Sequence, residues 1–245
     1  MKRILLFATL FLMTLNLQLL AQDEVAQVVV YRIPAHSPVN KMPWYNDVYR
    51  FSDFHSGTVL YASRRKNAET LKLNYNLYYE KMECINGKGD TVLLKTGKLK
   101  FVNIGGRDFL FDNVKGFIEI VADTPVALGI KTFMTQITMD YIIGKGWAAE
   151  NKTSGILAGP TRTFEGVFDL RTSPSIYSRY YKKDLAFFFI DRKTSIHKAV
   201  KPSILKIFAP YAEKINEYLE TNPVDFNRQE DLIRLLTFCH NLTNS

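Results

Sequence analysis

The chain has little of what most chemistry needs. Among its 245 residues are only two cysteines, two tryptophans and four histidines. The histidines His36, His55, His197 and His240 stand singly, and neither HExxH nor CxxC occurs, so no metal-ligand spacing is present. A G-x-S-x-G elbow and a cysteine–histidine signature are also missing, which removes the common motif-borne hydrolases. Carboxylates are plentiful, but no spacing singles out a pair. Beyond the N-terminus no apolar run approaches the roughly 20 residues that a membrane-spanning helix needs. Internal repeats and low-complexity tracts are absent as well. Cys84 and Cys239 lie far apart and read as separately buried thiols; a disulfide is the alternative that an oxidising compartment would permit.

What is present begins with MKRILLFATLFLMTLNLQLLAQ. Lys2 and Arg3 precede an apolar stretch from Ile4 to Leu20, and Ala21 is small enough for a cleavage site. Thr14, Asn16 and Gln18 interrupt the run, so residues 1–22 read as a secretory signal peptide rather than an anchor. Export is therefore expected, to the periplasm, the cell envelope or the exterior. Residues 1–22 carry two of the 32 basic residues and none of the 24 acidic ones, so the net charge of +8 falls to +6 without them. A mild basic excess outside the cytoplasm favours anionic glycans, headgroups or acidic partners. Nucleic acid is not expected: the basic residues are dispersed apart from Arg64-Arg65-Lys66, and no recognition motif accompanies them.

The body of the chain, 23–193, reads as β. VAQVVVYRI at 25–33 begins it, and from Gly57 to about Met134 come GTVLYAS, ETLKLNYNLY, KMECI, DTVLL, LKFVNI, RDFLF, GFIEIVA and PVALGIKTF. The separators, such as Asn-Gly-Lys-Gly and Gly-Gly, are turn formers and too short for parallel crossovers. In LKLNYNLYY, Leu71, Leu73, Tyr75, Leu77 and Tyr79 alternate with polar residues, which predicts one buried face with Asn74 and Asn76 on the wetter one. A turn or bulge near Glu80-Lys81 then moves Met82 and Cys84 into phase. Residues 135–164 read as a long irregular excursion, the first place to look for a site. FEGVFDL (164–170) and LAFFFID (185–191) read as strands.

From Thr194 the period becomes helical. KPSILKIF starts with a proline suited to a first turn, Pro210 opens a second helix, and Asn227-Arg-Gln-Glu230 resembles a capping box. Leu232, Leu235, Leu236, Cys239 and Leu242 follow as one stripe that the sheet would cover. The expected fold is thus α+β and mainly β. An antiparallel meander, barrel- or sandwich-like, carries a packed C-terminal group of about three short helices over 194–245.

Two further patterns bear on function. Gly144-Lys-Gly-Trp-Ala-Ala149 fits G-x-G-x-x-A, but Asn151, Thr153, Ser154 and Gly155 break the helix that a dinucleotide site requires, so no cofactor is expected. Tyr75, Tyr78 and Tyr79, with Tyr177, Tyr180 and Tyr181, form two dense groups. They suit sugar rings or a protein partner, but ordinary sheet packing is the reading that alternating tyrosine favours.

Gly57-x-Val59, Leu73-Asn-Tyr-Asn76 and Gly89-Asp-Thr91, with LAFFFID and the ending ILKIF…INEYLETNPVDF…DLIRLL, resemble a group of uncharacterised exported proteins of gram-negative bacteria. The resemblance implies export and a β-rich body with a helical tail, and it carries over no catalytic residue. The leading expectation is a non-enzymatic envelope module that binds a protein or glycan through its sheet face or the 135–164 excursion. The alternatives are an exported hydrolase-like enzyme with a site dispersed over loops, and a carrier of an apolar ligand. Oligomeric state is not legible.

Overall fold

The structure is a computed structural model that describes residues 28–62, 68–138 and 177–244. Among these residues the chain forms eleven strands: β1 (Val30–Ile33), β2 (His55–Tyr61), β3 (Glu69–Asn76), β4 (Lys81–Ile85), β5 (Thr91–Leu93), β6 (Leu99–Ile104), β7 (Arg107–Asp112), β8 (Gly116–Ala122), β9 (Ala127–Ile137), β10 (Arg179–Ile190) and β11 (Ile196–Lys198). Three helices follow: α1 (Lys201–Ile207), α2 (Ala212–Thr221) and α3 (Gln229–Asn244). Mainly antiparallel β with helices near the C-terminus is the class that the alternation and the helical stripe predict. The signal-peptide reading, the Arg64-Arg65-Lys66 cluster, the G-x-G-x-x-A match and FEGVFDL all lie outside the described residues, as does the excursion from 139 onward. Its first residues are not loop, because β9 continues through Ile137, paired with β10 from Tyr180↔Ile137 to Ile190↔Ala127.

The strands are joined where the turn chemistry is. Gly105 and Gly106 form the two-residue connection from β6 to β7, both at positive φ (55° and 80°), which matches the twist of a hairpin and strains most other residues. At the β4–β5 turn the Asn86 side-chain oxygen accepts the N–H groups of Lys88 and Asp90, each at 2.9 Å. The phase change after β3 is also made by a turn, with Glu80 held at φ 53°.

The order is β1-β10-β9-β8-β7-β6-β2-β3-β4-β5, with β11 beside β10. Two departures from a barrel-like meander follow. First, β2 lies between β3 and β6, so two meanders are spliced rather than run on. Second, the sheet does not close into a barrel: β1 and β5 are its two ends. β8 and β9 pair only over Glu119–Ala122, and their ladder ends at Ile130. Near that end the β3–β4 turn reaches β9, where Met134 N–H donates to Leu77 O at 3.1 Å and Lys131 pairs with Glu80 at 2.5 Å.

Paired residues share a face, so Phe109, Glu119, Ile130 and Phe187 form one row across β7, β8, β9 and β10. At one end of that face Tyr75, Phe109, Phe117 and Met134 build a first core under the segment from Val39 to Phe51. At the other end Leu128, Ile130, Phe187 and Phe189 meet Ile204, Ile215, Leu232, Leu235, Leu236 and Cys239 in a second. The α3 stripe is buried as its spacing predicts. Cys84 and Cys239 are both buried free thiols.

Asn74 and Asn76 correct the reading of β3, since both are buried. The Asn74 side-chain amide donates to Phe51 O (2.9 Å) and Asp53 O (3.0 Å), and its oxygen accepts Phe51 N–H (3.2 Å). Asn76 donates to Glu83 Oε1 (3.2 Å) and accepts the N–H groups of Tyr78 and Tyr79. The second face of β3 is thus covered by main chain, and asparagine serves because it offers both donors and acceptors to it. Asn74→Ala is expected to cost about 2–4 kcal/mol in chemical denaturation, because several backbone groups lose their partners under cover.

The capping box differs too. Asn227 N–H donates to Asp225 Oδ1 at 2.8 Å, and Asp231 Oδ2 accepts Asp225 N–H at 2.9 Å. These carboxylates tie the segment before α3 to its first turn, and Asp225 N–H with Arg234 holds the Asp231 carboxyl below the usual range.

Deeper in α3, His240 Nε2 accepts Val126 N–H at 3.2 Å, which assigns the ring proton of the neutral form to Nδ1. Burial lowers its pKa, with Arg192 adding to the effect. A pKa lower in the folded state gives a stabilisation present above about pH 6.5 and lost as pH falls through the folded value. Denaturation midpoints are expected to drop as pH falls below about 6.5. His240→Gln, which keeps an acceptor, should show a smaller drop; an identical one would refute this role.

Candidate functional site

The two tyrosine groups come together, but largely inside the protein. Tyr75 and Tyr78 are 1% and 2% exposed, Tyr181 is buried, and Tyr79 and Tyr180 are half-buried. Tyr177 alone stands out, at 73%. The groups meet where the hydroxyls of Tyr78 and Tyr181 lie 3.2 Å apart, with ring centroids at 5.0 Å. Tyr181 O–H donates onward to Gln136 Oε1 at 3.3 Å, so Tyr78 supplies the proton of the shared bond. Burial pushes the pKa of both Tyr75 and Tyr78 well above that of a free phenol.

Among the described residues the buried Tyr75 hydroxyl has no hydrogen-bond partner. Its ring packs between Phe109 and Phe117, at 6.1 and 5.8 Å between centroids. Tyr75→Phe is therefore expected to be neutral or to stabilise by up to about 1 kcal/mol, since a desolvated unpaired hydroxyl is removed and the ring kept. A loss of stability in urea denaturation would show that the hydroxyl has a partner. Tyr75 and Tyr78 are taken up by packing in this arrangement: Tyr75 seats β3 against β7 and β8, and Tyr78 ties the β3–β4 turn to β10.

The accessible polar constellation lies between the two cores. Glu119, at the middle of the apolar row on β8, has a side chain only 5% exposed. Arg50 reaches it from the segment before β2, with Nε 2.8 Å from Oε2 and Nη2 3.1 Å from Oε1. Arg107, at the start of β7, places Nη1 at 2.6 Å from Oε1. The side chains of Arg50 and Arg107 are 29% and 51% exposed, so the cluster opens to solvent on its cationic side. Together they line a cleft of about 380 Å³, whose walls also include Ile120, Val121, Ile130, Thr132, Leu185 and Gln229. Gln229 is the first residue of α3, so the helical group contributes to the rim.

Sequence reasoning did not find this site. The signal was Glu119 within GFIEIVA, a carboxylate in register with inward-facing Phe117. Alternation assigns it a face, but not the two arginines that make the face habitable.

A His–carboxylate contact, His197 Nε2 to Asp191 Oδ2 at 3.1 Å, belongs to a turn. Asp191 Oδ1 there accepts the N–H groups of Lys193 and Ser195, both at 2.9 Å. Among the described residues no three His, Cys, Asp or Glu side chains gather as a metal site. No helix among them is long and apolar enough to cross a membrane.

Comparison with known proteins finds no family model, no curated protein and no solved structure that matches the chain.

Proposed function

We propose that this protein is an exported, non-enzymatic binding module of the cell envelope and that its partner is a glycan held in the Arg50–Glu119–Arg107 cleft. The observation that carries the reading is a concave, mixed polar and apolar cleft whose central charges are already fixed to one another. Both Glu119 oxygens are engaged by guanidinium groups, and Arg50 is held at two points by that one carboxylate. Such a cluster is preorganised to hold rather than to exchange protons. Its size suits one or two small rings and is far below the area of a stable protein interface. Export is supported by the character of residues 1–22 and by the basic balance of the remainder.

Leu185 is 52% exposed and forms part of the cleft wall. Leu185→Trp fills the cleft from its open side without touching the cores. Binding of the purified protein to immobilised envelope polysaccharide is expected to be lost in that variant and kept in Tyr177→Ala. Retained binding by a Leu185→Trp protein of unchanged thermal stability overturns the assignment.

A further inference from the structure

We infer that the cleft selects a carboxylate-bearing sugar, with Arg107 as the residue that reads the charge; this rests on the cleft being the glycan site. One guanidinium would neutralise Glu119, yet two are present, so one positive charge is in excess. Arg50 spends Nε and Nη2 on the carboxylate, while Arg107 spends only Nη1. Among the described residues, Nε and Nη2 of Arg107 and Nη1 of Arg50 have no hydrogen-bond partner. Arg107 is also the more exposed of the two, at 51%.

These facts specify a ligand. A single excess charge matches a monoanion better than a phosphate dianion. The planar fork of a guanidinium matches the two oxygens of a carboxylate. A divalent cation is opposed by the two arginines. Beside the charges, Thr132 and Gln229 offer hydroxyl and amide groups to sugar hydroxyls, and Ile130 and Val121 offer an apolar surface to the C–H face of a ring. A hexuronate residue combines all three features. Glu119 competes with it for the same donors, which keeps the affinity modest and ties it to ionic strength.

The test is calorimetric titration with glucuronate- and galacturonate-terminated oligosaccharides, their neutral glucose and galactose counterparts, and inorganic phosphate. The acidic sugars are expected to bind at least about tenfold more tightly than the neutral ones, the worth of a charge-assisted hydrogen bond. Arg107→Met should abolish that preference and Arg107→Lys should restore part of it; the second keeps the test open if the first does not fold. Glu119→Gln should tighten acidic-sugar binding by removing the competitor. Equal binding of acidic and neutral sugars, or an unaltered preference in Arg107→Met, overturns the inference while leaving the cleft as a glycan site. Phosphate competing as well as uronate overturns the choice of carboxylate. No binding of any of these sugars overturns the inference, and the Leu185→Trp assay on whole polysaccharide then decides separately whether the cleft binds glycan at all.

Discussion

Phe189→Ala is expected to lose about 3–5 kcal/mol of unfolding free energy, the usual result of deleting a buried ring. Phe189 is fully buried in the second core, paired with Leu128 on β9 and His197 on β11. Its neighbours there include Ile204 of α1 and Leu232 and Leu235 of α3, so the ring is one of the groups that join helices to sheet. The neighbouring backbone is ladder-bonded on both sides of β10, which limits how far the cavity can collapse. Against a total stability of about 5–15 kcal/mol, such a loss leaves the helical group marginal. Guanidinium denaturation followed by far-ultraviolet circular dichroism should show helical signal lost at a lower midpoint than in the native chain. Phe189→Leu should fall between the two. A change below about 1 kcal/mol would mean that the ring is not the joint described here. Because Gln229 begins α3 and lines the cleft, the same variant should also weaken ligand binding.

Gly57→Ala is expected to cost about 1–3 kcal/mol, and Gly57→Val more, through overpacking. Gly57 lies in β2 between Leu71 of β3 and Ile104 of β6. A Cβ built there would run into the backbone oxygen of Asn103 and come within 2.8 Å of Leu73 Cδ1. A backbone oxygen held in a ladder cannot move aside as a side-chain tip can. Replacing glycine normally gains about 0.4–1 kcal/mol by restricting the unfolded chain, but here the collision outweighs it. Gly87 is the control: among the described residues nothing lies within 4 Å of its Cβ position, so Gly87→Ala should stay within about 0.5 kcal/mol of the native protein. Equal stability of the Gly57 and Gly87 variants in urea would show that the approach of β2 to β6 is looser than described.

The elements themselves were legible because their signals are local. Strand after strand from β2 to β9 falls where β-branched and aromatic residues alternate between turn formers, and α3 falls where Leu232, Leu235, Leu236 and Cys239 recur at helical spacing. The failures were those of position. LAFFFID announces the apolar half of β10, but the strand begins six residues earlier at Arg179, through Lys182, Lys183 and Asp184. Those charges are tolerated because Lys182 pairs with Asp184 at 2.7 Å and β9 is ladder-bonded alongside all three, with β1 on the other flank as far as Lys182. β11, three residues long, carries too little pattern to be seen.

What the sequence determined alone is the alternation of faces, the location of turns and the switch to helix at the C-terminus, since each depends on neighbours within a few residues. What only the tertiary structure decided is which polar groups go inside. Asn74, Asn76 and Glu119 resemble any solvent-facing residue until Phe51, Glu83, Arg50 and Arg107 are brought against them. Burying a polar group is unfavourable by itself and becomes acceptable only with its partners in place. Those partners lie 23, 7, 69 and 12 residues away in the chain, and three of the four are beyond the reach of any local period.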